Sequence, residues 1–136
     1  MKKIVLLTLF LLTLTGCSID DDLPNYSYEV LPVDSYTVPQ SFTLGQTYEI
    51  KLKYKKPSDC HSFQGIYYDK NLNVRTIGIQ TSVLETTNCT PLTSEPIEVS
   101  FNFYVTNTGS YIFKFYKGED ANGQNIFEEV EIPVIN

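Results

Sequence analysis

From Tyr28 on, stretches in which apolar and polar residues alternate recur along the chain, and no stretch sustains the 3.6-residue period of a helix. Tyr48, Ile50, Leu52 and Tyr54 alternate with Glu49, Lys51, Lys53 and Lys55, the pattern of a strand with one buried and one charged face. The same beat turns Ile97, Val99, Phe101, Phe103 and Val105 inward, then Tyr111, Phe113 and Phe115, then Val130, Ile132 and Val134. Weaker strands are read over Tyr28–Leu31, Ser41–Leu44, Phe63–Tyr68 and Val74–Thr81. Turn chemistry separates them at Leu44–Gln46, Asp69–Asn73, Asn107–Gly109 and Asn122–Gly123, while Pro39 and Pro133 suit edges or strand ends. About seven or eight short strands divided by turns predict an all-β chain folded as an antiparallel β-sandwich.

The start of the chain follows a different pattern. Lys2 and Lys3 precede an apolar run, Ile4–Thr15, that falls short of the about 20 residues a membrane span requires. Such a run fits a signal peptide. Leu14-Thr15-Gly16-Cys17 resembles the bacterial lipobox. That resemblance implies cleavage after Gly16, diacylglycerol on the Cys17 thiol and an acylated new amino terminus, an anchor above the two-chain threshold for stable attachment. The alternative is a secreted protein whose Cys17 merely follows the cleavage site. The acidic run Ser18-Ile19-Asp20-Asp21-Asp22 resembles the export signal of Bacteroidota lipoproteins, which implies display at the outer face of the outer membrane. Its plainer reading is a solvated linker, and a Gram-positive cytoplasmic-membrane anchor is the competing location.

Asn107-Thr108-Gly109-Ser110-Tyr111-Ile112-Phe113 resembles the tyrosine corner of immunoglobulin-like domains, in which a Tyr bonds back to the upstream backbone. Phe113 stands where an antibody-type domain carries a Cys, so the resemblance implies no inter-sheet disulfide. Taken with the lipobox, the chain is similar to the small immunoglobulin-like surface lipoproteins of Bacteroidota. The expected organisation is a cleaved signal peptide at 1–16, a lipidated Cys and acidic tether at 17–27, and an immunoglobulin-like β-sandwich at 28–136. The resemblance brings no activity and no site residues with it.

Composition narrows the partners. Ten Tyr, eight Phe and 42% hydrophobic residues describe a folded domain. Lys2 and Lys3 lie in the leader, so the ten basic residues fall to eight in the mature chain against sixteen acidic ones, a net −8. That balance repels phosphate backbones and anionic headgroups, which excludes nucleic acid and leaves the membrane contact to the lipid on Cys17. With Cys17 committed to lipid, Cys60 and Cys89 form the one available pair, in a compartment that permits disulfides. Two buried thiols, or a redox or metal role, are the alternatives.

No catalytic motif is present. His61 stands alone beside Cys60, reads as an exposed loop residue, and lacks further ligands at metal-site spacing. Glu98, Glu129 and Glu131 fall on polar beats, whereas Glu128 shares parity with Val130 and suits a bulge or rim. Glu119–Asn125 spaces oxygen side chains around a Gly as a calcium loop does, but lacks the closing bidentate Glu; Asn122-Gly123 alone explains a hairpin. No catalytic residue, metal or cofactor is therefore assigned. Tyr67 and Tyr68 are adjacent, so one of them faces outward, and Tyr104 and Tyr116 also fall on outward beats. These four form the candidate binding surface. The expected role is a non-enzymatic binding or accessory module, its partner a neighbouring outer-membrane protein or an extracellular glycan. A structural envelope component without a ligand is the alternative.

Overall fold

The computed structural model describes residues 23–93 and 95–136; the signal peptide, Cys17 and the acidic run lie outside them. The described residues hold ten strands and no helix: β1 (Tyr26–Leu31), β2 (Ser35–Thr37), β3 (Phe42–Thr43), β4 (Thr47–Tyr54), β5 (His61–Asn71), β6 (Val74–Leu84), β7 (Ile97–Tyr104), β8 (Tyr111–Glu119), β9 (Asn125–Ile132) and β10 (Val134–Ile135). The count exceeds the seven or eight expected for two reasons. β2 is too short to show a period, and Pro133 divides β9 from β10. Proline offers no ladder donor, yet its carbonyl accepts from Phe42 N (2.8 Å), and β10 then pairs with β3. The turn read over Asp69–Asn73 narrows to Leu72–Asn73, because Asp69–Asn71 continue β5.

β6 organises the larger sheet. One edge pairs along most of its length with β5, with a bulge at Gln64. The other edge is shared. Ile79–Leu84 pair antiparallel with β1, and Val74–Ile77 pair parallel with β8, which carries β9 beyond it. The β3–β10 pair is also parallel, so the pairing is mixed where the strand pattern predicts antiparallel neighbours throughout. A three-stranded sheet, β2-β4-β7, faces the larger one. Its outer surface carries Lys51, Lys53, Glu49 and Glu98 in loose, solvated ion pairs, the charged face that the β4 alternation predicts.

Between the sheets lies one aromatic-rich core. Ile50, Leu52, Tyr54 and Phe103 meet Ile77, Ile79, Phe113 and Phe115, all on the inward beats of their strands. Phe42 plugs one end, its ring 4.9–5.9 Å from those of Tyr48, Phe103, Tyr111 and Phe113. Burial deepens along β7 from exposed Ile97 to Phe103 and continues into Val105 just beyond it, while at the Ile97 end the paired Tyr54 is buried and its ring lies 6.0 Å from that of Phe63 on β5.

Tyr111 closes the β7–β8 corner. Its ring is buried, and its hydroxyl accepts from the Thr106 and Asn107 amides at 3.1 and 2.9 Å. Tyr111→Phe keeps the ring and strands both amides, so we expect a loss of about 1–2 kcal/mol in urea unfolding at unchanged m. An unaltered midpoint would mean that the turn at Thr108–Gly109 holds the corner unaided.

Candidate functional site

The four tyrosines expected to form one surface are sorted into two clefts of opposite charge. Tyr67 and Tyr116 line a groove of about 810 Å³ together with Thr76, Phe127, Glu29 and Glu119. Its geometry follows from the shared edge of β6: β8 leaves that edge after Ile77, and β1 occupies it from Ile79 onward. Gly78 lies at the junction, directly opposite Tyr67 on β5. A Cβ there would fall 2.4 Å from Val30 Cγ1 and 3.6 Å from Tyr116 Cβ, so only glycine lets Val30 and Tyr116 close over the strand. Gly118, at φ +104°, forms the bulge that bends β8 as it departs. Among the described residues, no Lys or Arg lines this groove. Burial pushes the Tyr116 phenol up, and the Glu119 and Glu29 carboxylates push it further.

Tyr68 and Tyr104 line the second cleft, of about 510 Å³, where β5 of the larger sheet faces β7 of the smaller. The Tyr68 ring meets Phe101 edge-on at 5.9 Å. Among the described residues, the charged ones here are Lys70 and Arg75, with no carboxylate in the lining. Neither cation was legible as a site residue, although the hairpin at Leu72–Asn73 places them directly opposite each other. That signal becomes readable once the turn is centred on those two residues.

His61 corrects the expectation of an exposed loop residue. It opens β5 and is 8% exposed. Nε2 lies 2.6 Å from Glu29 Oε1 and Nδ1 2.8 Å from Ser58 Oγ. The consistent assignment has Nε2–H donating to the carboxylate and the Ser58 hydroxyl donating to Nδ1. A Ser–His–Glu chain of this kind can in principle move a proton. Ser58 Oγ, however, is buried and also accepts from Cys60 N (3.3 Å), which spends it on bracing the turn. Cys60 is bonded to Cys89 at a separation of 29 residues, so neither sulfur is a free thiolate for redox or metal chemistry.

Other acids are similarly engaged. Glu128 Oε1 accepts from the Tyr36 hydroxyl at 2.6 Å, and Oε2 lies 3.4 Å from Lys117 Nζ. Burial and this carboxylate push the Tyr36 phenol up to about 12, while the Tyr36 hydroxyl and Lys117 hold Glu128 below the usual carboxylate range. Asp120 Oδ1 accepts from the Asn122 and Gln124 amides at 2.8 and 2.9 Å, which makes the calcium-like loop a capped Asn-Gly hairpin with Gly123 at φ +74°.

A prokaryotic membrane lipoprotein lipid attachment site matches residues 1–18 and takes in Cys17. This is a lipid-anchored envelope protein. Its membrane contact is the anchor at Cys17; no helix among the described residues is long and apolar enough to cross a membrane. No curated protein and no solved structure matches the chain.

Proposed function

We propose that this chain is a non-enzymatic recognition module of the bacterial surface, an immunoglobulin-like β-sandwich held at the outer face of the outer membrane by the lipid on Cys17. The acidic run after Cys17 supports the Bacteroidota type and outward display. The two facing sheets and the Tyr111 corner support the immunoglobulin-like reading, from which the parallel β6–β8 pairing is a departure. The observation that carries recognition is the groove bearing Tyr67 and Tyr116. Aromatic faces beside carboxylate and amide acceptors suit a neutral glycan, whose C–H faces stack on rings while its hydroxyls donate to Glu29, Glu119 and Asn125. A neighbouring envelope protein is the other occupant of this reading.

Full-length lipoprotein in mild detergent is passed over neutral polysaccharide gels, and captured material is analysed for co-purifying protein. We expect Tyr67→Ala to weaken retention about five-fold, the worth of an aromatic contact of about 1 kcal/mol, with thermal stability nearly unchanged because Tyr67 is half exposed. Loss of a stoichiometric protein partner on the same substitution would instead make the groove a protein contact. No retention and no partner sensitive to Tyr67 would leave a structural envelope component.

A further inference from the structure

Arg75 is 2% exposed, yet among the described residues no carboxylate lies within ion-pair distance of it. Buried guanidinium groups are ordinarily paired, because an uncompensated charge in a low-dielectric interior is costly. Part of the need is met locally. Nη1 donates to the Leu72 and Val74 carbonyls at 2.8 Å each, and the guanidinium carbon sits 5.0 Å from the Tyr111 ring centroid and 5.9 Å from that of Phe103. The remainder is not met: Nε is buried without a hydrogen-bond partner among the described residues.

A second cation worsens the arrangement. Lys70 stands directly across the ladder from Arg75, on the same face, and it too has no ion-pair partner among the described residues. Like charges at directly opposed positions destabilise a sheet. In a chain whose acidic residues outnumber its basic ones, two adjacent unpaired cations facing one cleft run against the mean charge. The positive field reaches their neighbours. The Tyr111 phenol, which burial alone would push up, is brought below its ordinary value by hydrogen bonds from Thr106 and Asn107 and by the Arg75 charge.

We propose that the cleft between β5 and β7 binds an organic carboxylate, its anionic group between Lys70 and the Arg75 guanidinium and its body against Tyr68, Phe101 and Tyr104. One negative charge neutralises the repulsion across the ladder and gives the guanidinium, beside the Tyr68 hydroxyl, the anionic partner that no described carboxylate supplies. The rings on either side are apolar, which favours a carboxylate on a flat or partly apolar body over a free phosphate that needs donors all round. This site stands on observations separate from those that carry the Tyr67–Tyr116 groove. Its failure would leave that groove untouched, and the reverse holds too.

The test titrates the full-length lipoprotein in non-ionic detergent with benzoate, the isosteric neutral benzamide, galacturonate and galactose, followed by calorimetry and the Arg75 Nε–H resonance. We expect at least one carboxylate to bind about tenfold more tightly than its neutral counterpart and to move that resonance, as a charge-assisted contact requires. The benzoate and galacturonate arms distinguish an aromatic acid from a carboxylated sugar. Lys70→Met, at an exposed position, should weaken the binding about five-fold without lowering Tm, and it keeps the test informative if Arg75→Met does not fold. Equal affinity for acid and amide, binding indifferent to Lys70→Met, or no binding of either acid would overturn the site and leave Arg75 as a brace of the Leu72 turn.

Discussion

Replacing Cys60 and Cys89 together by Ser should lower the unfolding free energy by about 3–4 kcal/mol, the largest loss expected from any change outside the core. The bridge closes a loop across 29 positions, and in the chain-entropy model the cost of leaving such a loop open is of this size. The bonds around it show what it holds in place. Asp59 and Thr90 exchange two hydrogen bonds, Asp59 N to Thr90 O at 3.1 Å and Thr90 N to Asp59 Oδ1 at 2.8 Å. Leu92 N reaches Pro57 O at 3.0 Å, and Leu84 N reaches Cys60 O at 3.0 Å. Without the bridge, this short, solvent-edged ladder would have to tie the segment after β6 to the start of β5 unaided. Urea unfolding of the double variant and of the reduced wild type should agree in midpoint. Curves that coincide with the oxidised protein would show that the β5–β6 hairpin already confines the loop in the unfolded chain.

Phe113→Ala should cost about 3–5 kcal/mol, as expected when a large aromatic is removed from a site that cannot collapse around the void. Phe113 is fully buried on β8, with ring centroids 5.2 Å from Phe103, 5.9 Å from Phe42 and 6.1 Å from Phe115. Phe103 belongs to the facing sheet, so this ring joins the two layers. Ile112, one residue earlier and on the opposite face, is half-buried, and Ile112→Ala should cost about 1 kcal/mol. Chemical denaturation of the two variants tests the inward beat directly. Equal losses would mean that the β8 face had been assigned the wrong way round.

How much of this was legible before the fold is clearest on β4 and β8. Their alternation marks Ile50, Leu52, Tyr54, Tyr111, Phe113 and Phe115 as inward, and all six are buried. Side-chain direction within a strand repeats every two residues whatever the strand pairs with, so this information is local. The leader was legible for a related reason: a charged start, a short apolar run and a lipobox are contiguous features, and the attachment site falls on them. His61 was not legible, because its environment comes from Glu29, 32 residues away, across β6. Nor was the division of the tyrosines. Tyr67 and Tyr68 are neighbours in the chain, yet each turns to a different cleft, and each cleft is completed by strands the local pattern does not connect to them.

By itself, then, the sequence determined the all-β character, the inward face of each strong strand, the lipid anchor and the cysteines available for pairing. Only the tertiary structure decided that β6 divides one edge between β1 and β8, that Gly78 lies beneath a groove at that division, and that Arg75 is buried beside Lys70 with no ion-paired acid among the described residues. The reason is physical. Ladder hydrogen bonds join backbone to backbone and are nearly blind to side-chain identity, so strand order is settled by which faces can be buried together across the whole chain. Sites that form between strands inherit that non-locality.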